Sequence, residues 1–373
     1  MTTVEAASQE VELVRGTSLW NDAWKRLRKN RLAVWSSVIM VLLVVGCVTG
    51  PTLTQLIWGH TFDHQNLDYG AQPPSFRTHT LVPGEVVGPS GDGVAVRSPH
   101  GDVIVSHGAA GELPSGANLT LRRSGPPVDG VDGLEPCRRC SRVRAPVEEG
   151  PHWLGTDFHG RDLMTRIFKG GQVSLLVGLL AAVVSATIGV LVGSVAGYLG
   201  GRVDALLMRF VDVMYSLPYM FFVIILVTVF GKHLWLIFVA LGAVGWLMTA
   251  RIVRGQILSL KEREFVHAAR SLGVRGPAIV RRHLIPNALG PVIVYFTLTV
   301  PTMIRQEAFL SFLGLGVQPP NASLGWLINE GANQMLVFWW VLVFPGAILA
   351  ILLFAMNFIG DGLRDALDPQ MKS

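Results

Sequence analysis

The stretch KEREFVHAARSLGVRGPAIVRRHLIPNALG, Lys261 to Gly290, decides the fold, because it is a charged island between two long apolar runs. Phe265, Ala268, Ala269 and Leu272 recur at helical spacing, so one apolar stripe runs down a short helix. Gly273 follows and closes that helix, glycine adopting φ > 0 at almost no steric cost. Pro277 suits the first turn of a second short helix, and Pro286 is expected to end it. The expected element is helix, glycine turn, helix, lying on a membrane surface. Small alanines on its exposed stripe would let another protein's backbone approach closely. It reads as a docking piece.

Composition agrees with a membrane setting. The chain has 373 residues, 50% of them hydrophobic and only 15% charged, with a mean hydropathy of +0.44. A soluble domain carries about a quarter of its residues charged. The net charge of +5 is not a nucleic-acid signal, because the basic residues gather at the ends of apolar runs, where they set orientation. Three cysteines are too few for a disulfide framework. No cleavable signal is evident: the first apolar run begins after residue 31 and is long enough to span.

Runs of at least about 17 apolar residues are needed to cross the hydrocarbon core. The candidates are Leu32–Ile57, Ser174–Leu199, Met214–Phe230, Leu234–Ala250, Ala288–Ile304 and Met335–Ile359. Basic residues flank the first run, follow the second (Arg202, Arg209), fill 251–282 and close the chain (Arg364, Lys372). That asymmetry places both termini in the cytoplasm. Arg161, Arg166 and Lys169, before the second run, are an exception that long translocated loops allow. The expectation is an all-α polytopic membrane protein with about six transmembrane helices and a small extracytoplasmic β-containing insertion. Its segments are a cytoplasmic tail and interfacial helix (1–31), a first transmembrane helix (32–58), the insertion (59–150) and a core with five transmembrane helices (151–373). The cytoplasmic loop of that core is 251–287.

Smaller signals fill in these segments. Trp20, Trp24 and Leu27 share a helical face beside Lys25, Arg26, Arg28, Lys29 and Arg31, as in a helix at the lipid headgroups or a basic topology flank. In the second run Ser185, Gly189, Gly193 and Gly197 stand at every fourth position and make a smooth stripe for helix packing. Pro218, Pro291, Pro301 and Pro345 can kink other spans. Within the insertion, GEVVGPSGDGVAVRSPHGDVIVS (84–106) alternates valines between Gly-Asp-Gly and His-Gly-Asp turns, the pattern of short strands. Cys137-Arg-Arg-Cys140 lacks further zinc ligands nearby, so a local disulfide is the expectation there and no metal is assigned. Cys47, alone in the first span, is read as packing.

Several motifs carry a resemblance. His267-Ala268-Ala269, Gly273 and Leu284-Ile285-Pro286 resemble the cytoplasmic loop of ABC importer permeases. The family pattern has Glu where His267 stands, and Glu264 lies one turn earlier. His152-Trp-Leu-Gly-Thr-Asp157 with Gly160-Arg-Asp162 and Thr165-Arg166 is similar to the segment before the second span in the dipeptide and oligopeptide branch. Phe309-Leu-Ser-Phe-Leu-Gly-Leu-Gly316 with Pro319-Pro320, and Gly360-Asp-Gly-Leu-Arg-Asp-Ala-Leu-Asp-Pro369, resemble two later segments of that branch. The match is loose over 20–58 and good over 152–370, whereas 60–149 exceeds what the family usually carries.

The resemblance implies an importer-permease (MetI-like) fold in a bacterial inner membrane and a non-catalytic transport subunit. It implies that Glu264, Phe265, His267, Ala268, Ala269, Leu272, Gly273 and Pro286 form the element that docks on an ATPase. It also implies a paralogous permease, two ABC ATPase subunits that use ATP and Mg, and an extracytoplasmic peptide-binding protein. Membrane lipid surrounds the chain and no nucleic acid is involved. Related permeases carry dipeptides, longer peptides, glutathione or nickel chelates.

Direct chemistry is sparse. Gly231-Lys232 is followed by His233 and has no glycine five residues before it, so no phosphate-cradling loop G-x-x-x-x-G-K-[ST] is present. Neither G-x-S-x-G nor H-E-x-x-H occurs, and no catalytic residue is assigned. A self-contained channel or ion-coupled carrier is disfavoured by the lack of acidic or histidine relays within the spans. An enzyme or sensor built on 60–149 lacks a catalytic constellation. Arg305 and Glu307 are the notable charges, at the outer end of the fifth span. A charge near mid-bilayer costs about 2.5–3.5 kcal/mol or more and usually faces an interior cavity. Two residues apart, they cannot pair on one helix. Both are expected on the translocation pathway, or else in the headgroup layer. The glycine-rich 309–316 stretch after them is too short for another span and is expected to dip back toward the membrane.

Overall fold

The computed structural model describes residues 19–58, 60–62, 71, 73–75, 80–90, 93–98, 101–106, 143–147, 151–318 and 321–367. Cys137 and Cys140, Pro319 and Pro320, and the end of the chain from residue 368 lie outside the described residues.

The N-terminal helix α1 (Leu19–Lys29) ends on Arg26, Arg28 and Lys29. Asn30 then caps α2 (Arg31–Trp58), its Oδ1 accepting the Ala33 N–H at 3.2 Å. An apolar helix without a polar face belongs in lipid, and α2 packs on the third and eleventh helices. Cys47 is buried and its Sγ occupies the space that a side chain at Gly171 would need. That is the packing role expected of it.

Four strands follow: β1 (Thr80–Ser90), β2 (Gly93–Ser98), β3 (Gly101–Ser106) and β4 (Val143–Val147). They form an antiparallel sheet in the order β3-β2-β1-β4. Val94 pairs with Val105 and Val96 with Val103 in the β2–β3 register. The bulge between Val86 and Gly88 shifts the β1–β2 register.

The core is helical. Helix α3 (Leu163–Leu199) starts eleven residues before the expected Ser174. Asp162 caps it by accepting the Thr165 N–H at 2.8 Å, and the polar Arg166 of its first turns is neutralised inside the protein. The glycine stripe on α3 meets α6 (Leu234–Lys261) closely. A Cβ at Gly189 would stand 2.4 Å from Thr249 Cβ, and one at Gly193 would stand 2.5 Å from the Ala250 carbonyl oxygen. Only hydrogen fits there, as small-residue packing in lipid requires.

The expected third span is not straight. Its residues divide between α4 (Gly201–Ser216) and α5 (Tyr219–Phe230), bent by 82° at Pro218. Proline removes the donor that would carry the helix through this point. After α6 come α7 (Glu264–Ser271), the single turn α8 (Gly276–Ile279) and a π-turn over Val280–Leu284 that runs into α9 (Ile285–Phe312). Pro286 therefore does not end a helix. The Ile285 N–H reaches back to the Val280 carbonyl, and this wider turn absorbs the proline just after it. Pro291 and Pro301 lie inside α9, and Pro345 lies inside the last helix.

The glycine-rich stretch also departs from expectation. Helix α9 persists to Phe312, and Gly314 turns the chain with φ 74°. The short helix comes later, as α10 (Leu324–Ala332), before α11 (Trp339–Leu367). Among the described residues, five helices are long and apolar enough to cross a membrane, and the bent α4–α5 pair is a sixth span if taken as one. The main core draws on α3, α6, α9, α10 and α11, and a second cluster lies around α7 and α8.

Candidate functional site

Three places in this fold hold arrangements able to act: the surface of α7, a cavity beside the Pro218 bend, and a knot of buried charges near α10.

Helix α7 is short, and its termination is explicit. The Gly273 N–H bonds to the Arg270 carbonyl at 2.9 Å and the Val274 N–H to the Ala269 carbonyl at 3.1 Å, with Gly273 at φ 74°. This closes the helix through a left-handed residue. Val266 and Ala269 face inward, onto Val253 and Ile257 of α6, Ile279 of α8 and Leu284. Glu264, Phe265, His267, Ala268 and Leu272 face outward, and Leu272 is 82% exposed. Ala269 therefore does not belong to the docking stripe; it is 6% exposed and holds α7 down. Adjacent helical residues point about 100° apart, so two neighbouring alanines can fall on either side of the boundary between the exposed and the buried face. His267 Nε2 stands 3.9 Å from Glu262 Oε2 at the surface. Part of the basic character beside this element is cancelled within the chain. Arg254 grips Asp204 of α4 through two bonds of 2.5 and 2.7 Å, and Arg251 holds Asp212 at 2.6 Å.

The cavity has a volume of about 650 Å³ and lies where the α4–α5 bend faces α6 and α9. Tyr215, Ser216, Tyr219, Tyr295, Thr299, Thr302 and Gln306 give it polar groups, and its remaining lining is apolar with no Asp, Glu, Lys, Arg or His. Such a wall offers neutral donors and acceptors suited to amide groups, and no fixed charge.

Neither of the two charges expected on a pathway lines this cavity. Arg305 is exposed on α9. Glu307 is 0% exposed and turned into the protein. Its Oε2 accepts from Ser174 Oγ at 3.0 Å and its Oε1 from Ser311 Oγ at 2.6 Å. Ser323, the cap of α10, donates to Ser311 Oγ at 3.0 Å, and the Leu324 N–H reaches Ser174 Oγ at 3.2 Å. The carboxylate thus sits close to the positive end of α10 and joins three helices. The residue between them, Gln306, is the one at the cavity. Its signal in the sequence was faint: a neutral polar side chain one position from each charge.

The buried charges begin with Asp157. Its Oδ1 accepts the His159 and Arg161 N–H groups at 2.8 and 3.0 Å, and its Oδ2 accepts Arg161 Nε at 2.7 Å. Arg166 also donates to Asp157 Oδ2. Glu330 of α10 completes the set, taking Arg161 at 3.1 Å and Arg166 at 2.7 Å. Gly155 and Gly160, at φ 82° and 72°, fold the segment tightly enough for this. Two arginines and two carboxylates leave the knot neutral. Beside it, desolvation and the neighbouring Arg161 push the His159 pKa down. Burial would raise the Asp162 pKa, but hydrogen bonds from His152 and Thr165 outweigh it and hold the carboxyl below its usual range. The Glu330 partnership crosses 164 or more residues and no local pattern announced it.

Comparison with known proteins adds a second line of observation. Residues 189–373 match the family model "Binding-protein-dependent transport system inner membrane component". Residues 18–74 match "N-terminal TM domain of oligopeptide transport permease C". The chain is 42% identical to the oligopeptide transport system permease protein OppC of Escherichia coli (strain K12), over 99% of this chain and 96% of that one. It is 37% identical to the dipeptide transport system permease protein DppC of Bacillus subtilis (strain 168), over 98% and 91% of the two chains. With OppC of Haemophilus influenzae it shares 56% identity over 61% of this chain and 73% of the other. Among solved structures, one of the MetNI methionine ABC transporter gives a TM-score of 0.46 at 21% identity, over 55% of this chain and 98% of that one.

Proposed function

The chain belongs to the family of binding-protein-dependent transport system inner membrane components, and on that premise we propose that it is the transmembrane permease of an ATP-driven importer of di- and oligopeptides. The observation that carries this reading is likeness along nearly the whole chain to permeases of both oligopeptides and dipeptides. The chain is a multi-pass membrane subunit. ATP and Mg are used by two ABC ATPase subunits, and the second half of the membrane domain is a paralogous permease. An extracytoplasmic binding protein delivers the peptide. Both termini and α7 lie in the cytoplasm, as the basic flanks favour.

The mechanism follows from two surfaces at opposite sides of α6 and α9. The exposed Phe265, Ala268 and Leu272 dock α7 in a groove of the ATPase, with Glu264 and His267 beside them. Closure of the ATPases moves α7, which is packed on α6, and α8, which is continuous with α9. The cavity walls at Tyr219, Tyr295 and Gln306 lie on those same helices and on α5, so the cavity changes its access as they rock. A neutral wall suits a peptide importer: it hydrogen-bonds the backbone that every peptide shares and rejects no side-chain charge.

The test is uptake of labelled peptides of graded length in a strain lacking this chain, restored by wild type or by Gln306→Glu. Wild type is expected to restore uptake of acidic, neutral and basic peptides alike. Gln306→Glu is expected to lower uptake of acidic peptides relative to basic ones by about tenfold, the effect of roughly 1.4 kcal/mol of repulsion. Failure of wild type to restore peptide uptake would overturn the reading of the solute. Equal loss for all peptides would remove Gln306 from the pathway.

A further inference from the structure

We propose that His60, His152 and Asp162 form a binding site for a divalent transition cation of the zinc class, clipping together the two ends of the insertion. These three buried side chains each bring one ligand atom within 4.8 Å of the others. They come from distant parts of the chain. His60 follows α2, whereas His152 and Asp162 precede α3.

Two imidazoles and one carboxylate with a remaining open position are the donor set that Zn²⁺ accepts, at about 2.0–2.2 Å per bond. Harder cations such as Mg²⁺ and Ca²⁺ prefer oxygen donors throughout and are disfavoured by the two nitrogens.

The donors are held in place before any ion arrives. Asp162 Oδ2 is fixed by the Thr165 N–H and Oγ1 at 2.8 and 2.6 Å, which turns Oδ1 toward His152 Nδ1 at 2.9 Å. The backbone of His152 is pinned as well, its carbonyl accepting the Ser75 and Gly155 N–H groups at 3.0 Å each. The His60 ring lies against the His152 ring at 4.4 Å, inclined by 24°. The relative exposures are 8% for His60, 6% for His152 and 5% for Asp162, so bound cation would be shielded from water. An ion would displace the proton shared by His152 Nδ1 and Asp162 Oδ1, 2.9 Å apart, and would find a His60 ring nitrogen within 4.8 Å of the other two ligand atoms.

The position of the cluster gives the ion its use. Trp58 and Trp153, on either side of it, also touch, with ring centroids 4.9 Å apart. The chain thus leaves α2 and enters α3 beside the same cluster. A cross-link that closes a long loop stabilises most, so the cation would fasten the insertion to the membrane core.

The experiment uses the purified transporter complex with its affinity tag removed, stripped with a chelator and titrated with Co²⁺. The expected result is one Co²⁺ per copy of this chain with the intense visible bands of a tetrahedral site, displaced by Zn²⁺. His60→Ala is expected to weaken Co²⁺ binding by at least about 100-fold, more than loss of an outer-sphere partner causes, while His233→Ala leaves it unchanged. Should His60→Ala fail to assemble, His60→Gln keeps a polar side chain of similar reach and is expected to lose the bands equally. No stoichiometric Co²⁺ in the wild-type complex, or binding unchanged in the His60 variants, overturns the proposal.

Discussion

Placing the same glutamate at Ala268 and at Ala269 should break this protein in two different ways. At Ala269 the new carboxylate would enter the cluster of Val253, Ile257, Ile279 and Leu284, where the native residue is 6% exposed. An unpaired ion in such a place costs several kcal/mol even after relaxation, against a total stability of about 5–15 kcal/mol. The Ala269→Glu complex is expected to be recovered poorly, or with α7 displaced from α6. At Ala268 the side chain projects outward, and an exposed substitution changes stability by about 0.5 kcal/mol or less. The Ala268→Glu complex is expected to assemble in normal yield, hydrolyse ATP and fail to couple it to peptide uptake. The assay is a paired measurement on purified complexes: size-exclusion yield and melting temperature, then ATPase rate and uptake in proteoliposomes. An Ala269→Glu complex with wild-type melting temperature, or an Ala268→Glu complex with wild-type uptake per ATP, would refute the assignment of the two faces.

Two further substitutions test the buried polar groups. Glu330→Gln leaves Arg161 and Arg166 sharing Asp157 alone, so stability is expected to fall by about 3–5 kcal/mol; an unchanged melting temperature of the complex would show the knot to be dispensable. Glu307→Ala strands the Ser174 and Ser311 hydroxyls, each worth about 1–3 kcal/mol when unsatisfied. The expected outcome is a lower melting temperature with unchanged apparent affinity for peptide. A changed affinity at an unchanged melting temperature would return Glu307 to the pathway.

Much of this fold was legible because membranes make sequences speak plainly. Long apolar runs, basic flanks and small residues at every fourth position are direct consequences of crossing lipid and packing there. The valine alternation of 84–106 likewise gave its hairpin. What failed to show was geometry that an apolar run does not encode. Residues 214–230 read alike whether straight or folded at Pro218, since a run of this length and composition is apolar enough to span in either shape. Pro286 read as a stop because the π-turn before it leaves no mark in composition. Glu307 read as a pathway charge because its satisfying groups, Ser174 and Ser323, lie on other elements. Periodicity alone could not say which of Ala268 and Ala269 was internal, because both fall within the width of one stripe. Glu330 was out of reach of local reasoning, being one acidic residue in a short helix whose partners, Arg161 and Arg166, lie just before α3 and in its first turn.

The uninterrupted backbone from Gly276 to Phe312 has a mechanical meaning. At 1.5 Å per residue its 37 residues make a rod of roughly 55 Å. One end adjoins α7 and the other carries Glu307, hydrogen-bonded to Ser174 of α3 and close to the start of α10. Such a rod is a lever arm with only three weak points. A push at Pro277 arrives at Ser311 with little backlash, and compliance is confined to the π-turn at 280–284 and the two prolines at 291 and 301. Stiffness at those three points, rather than the strength of any contact, then sets how much of the stroke delivered at one face of the bilayer is felt at the other.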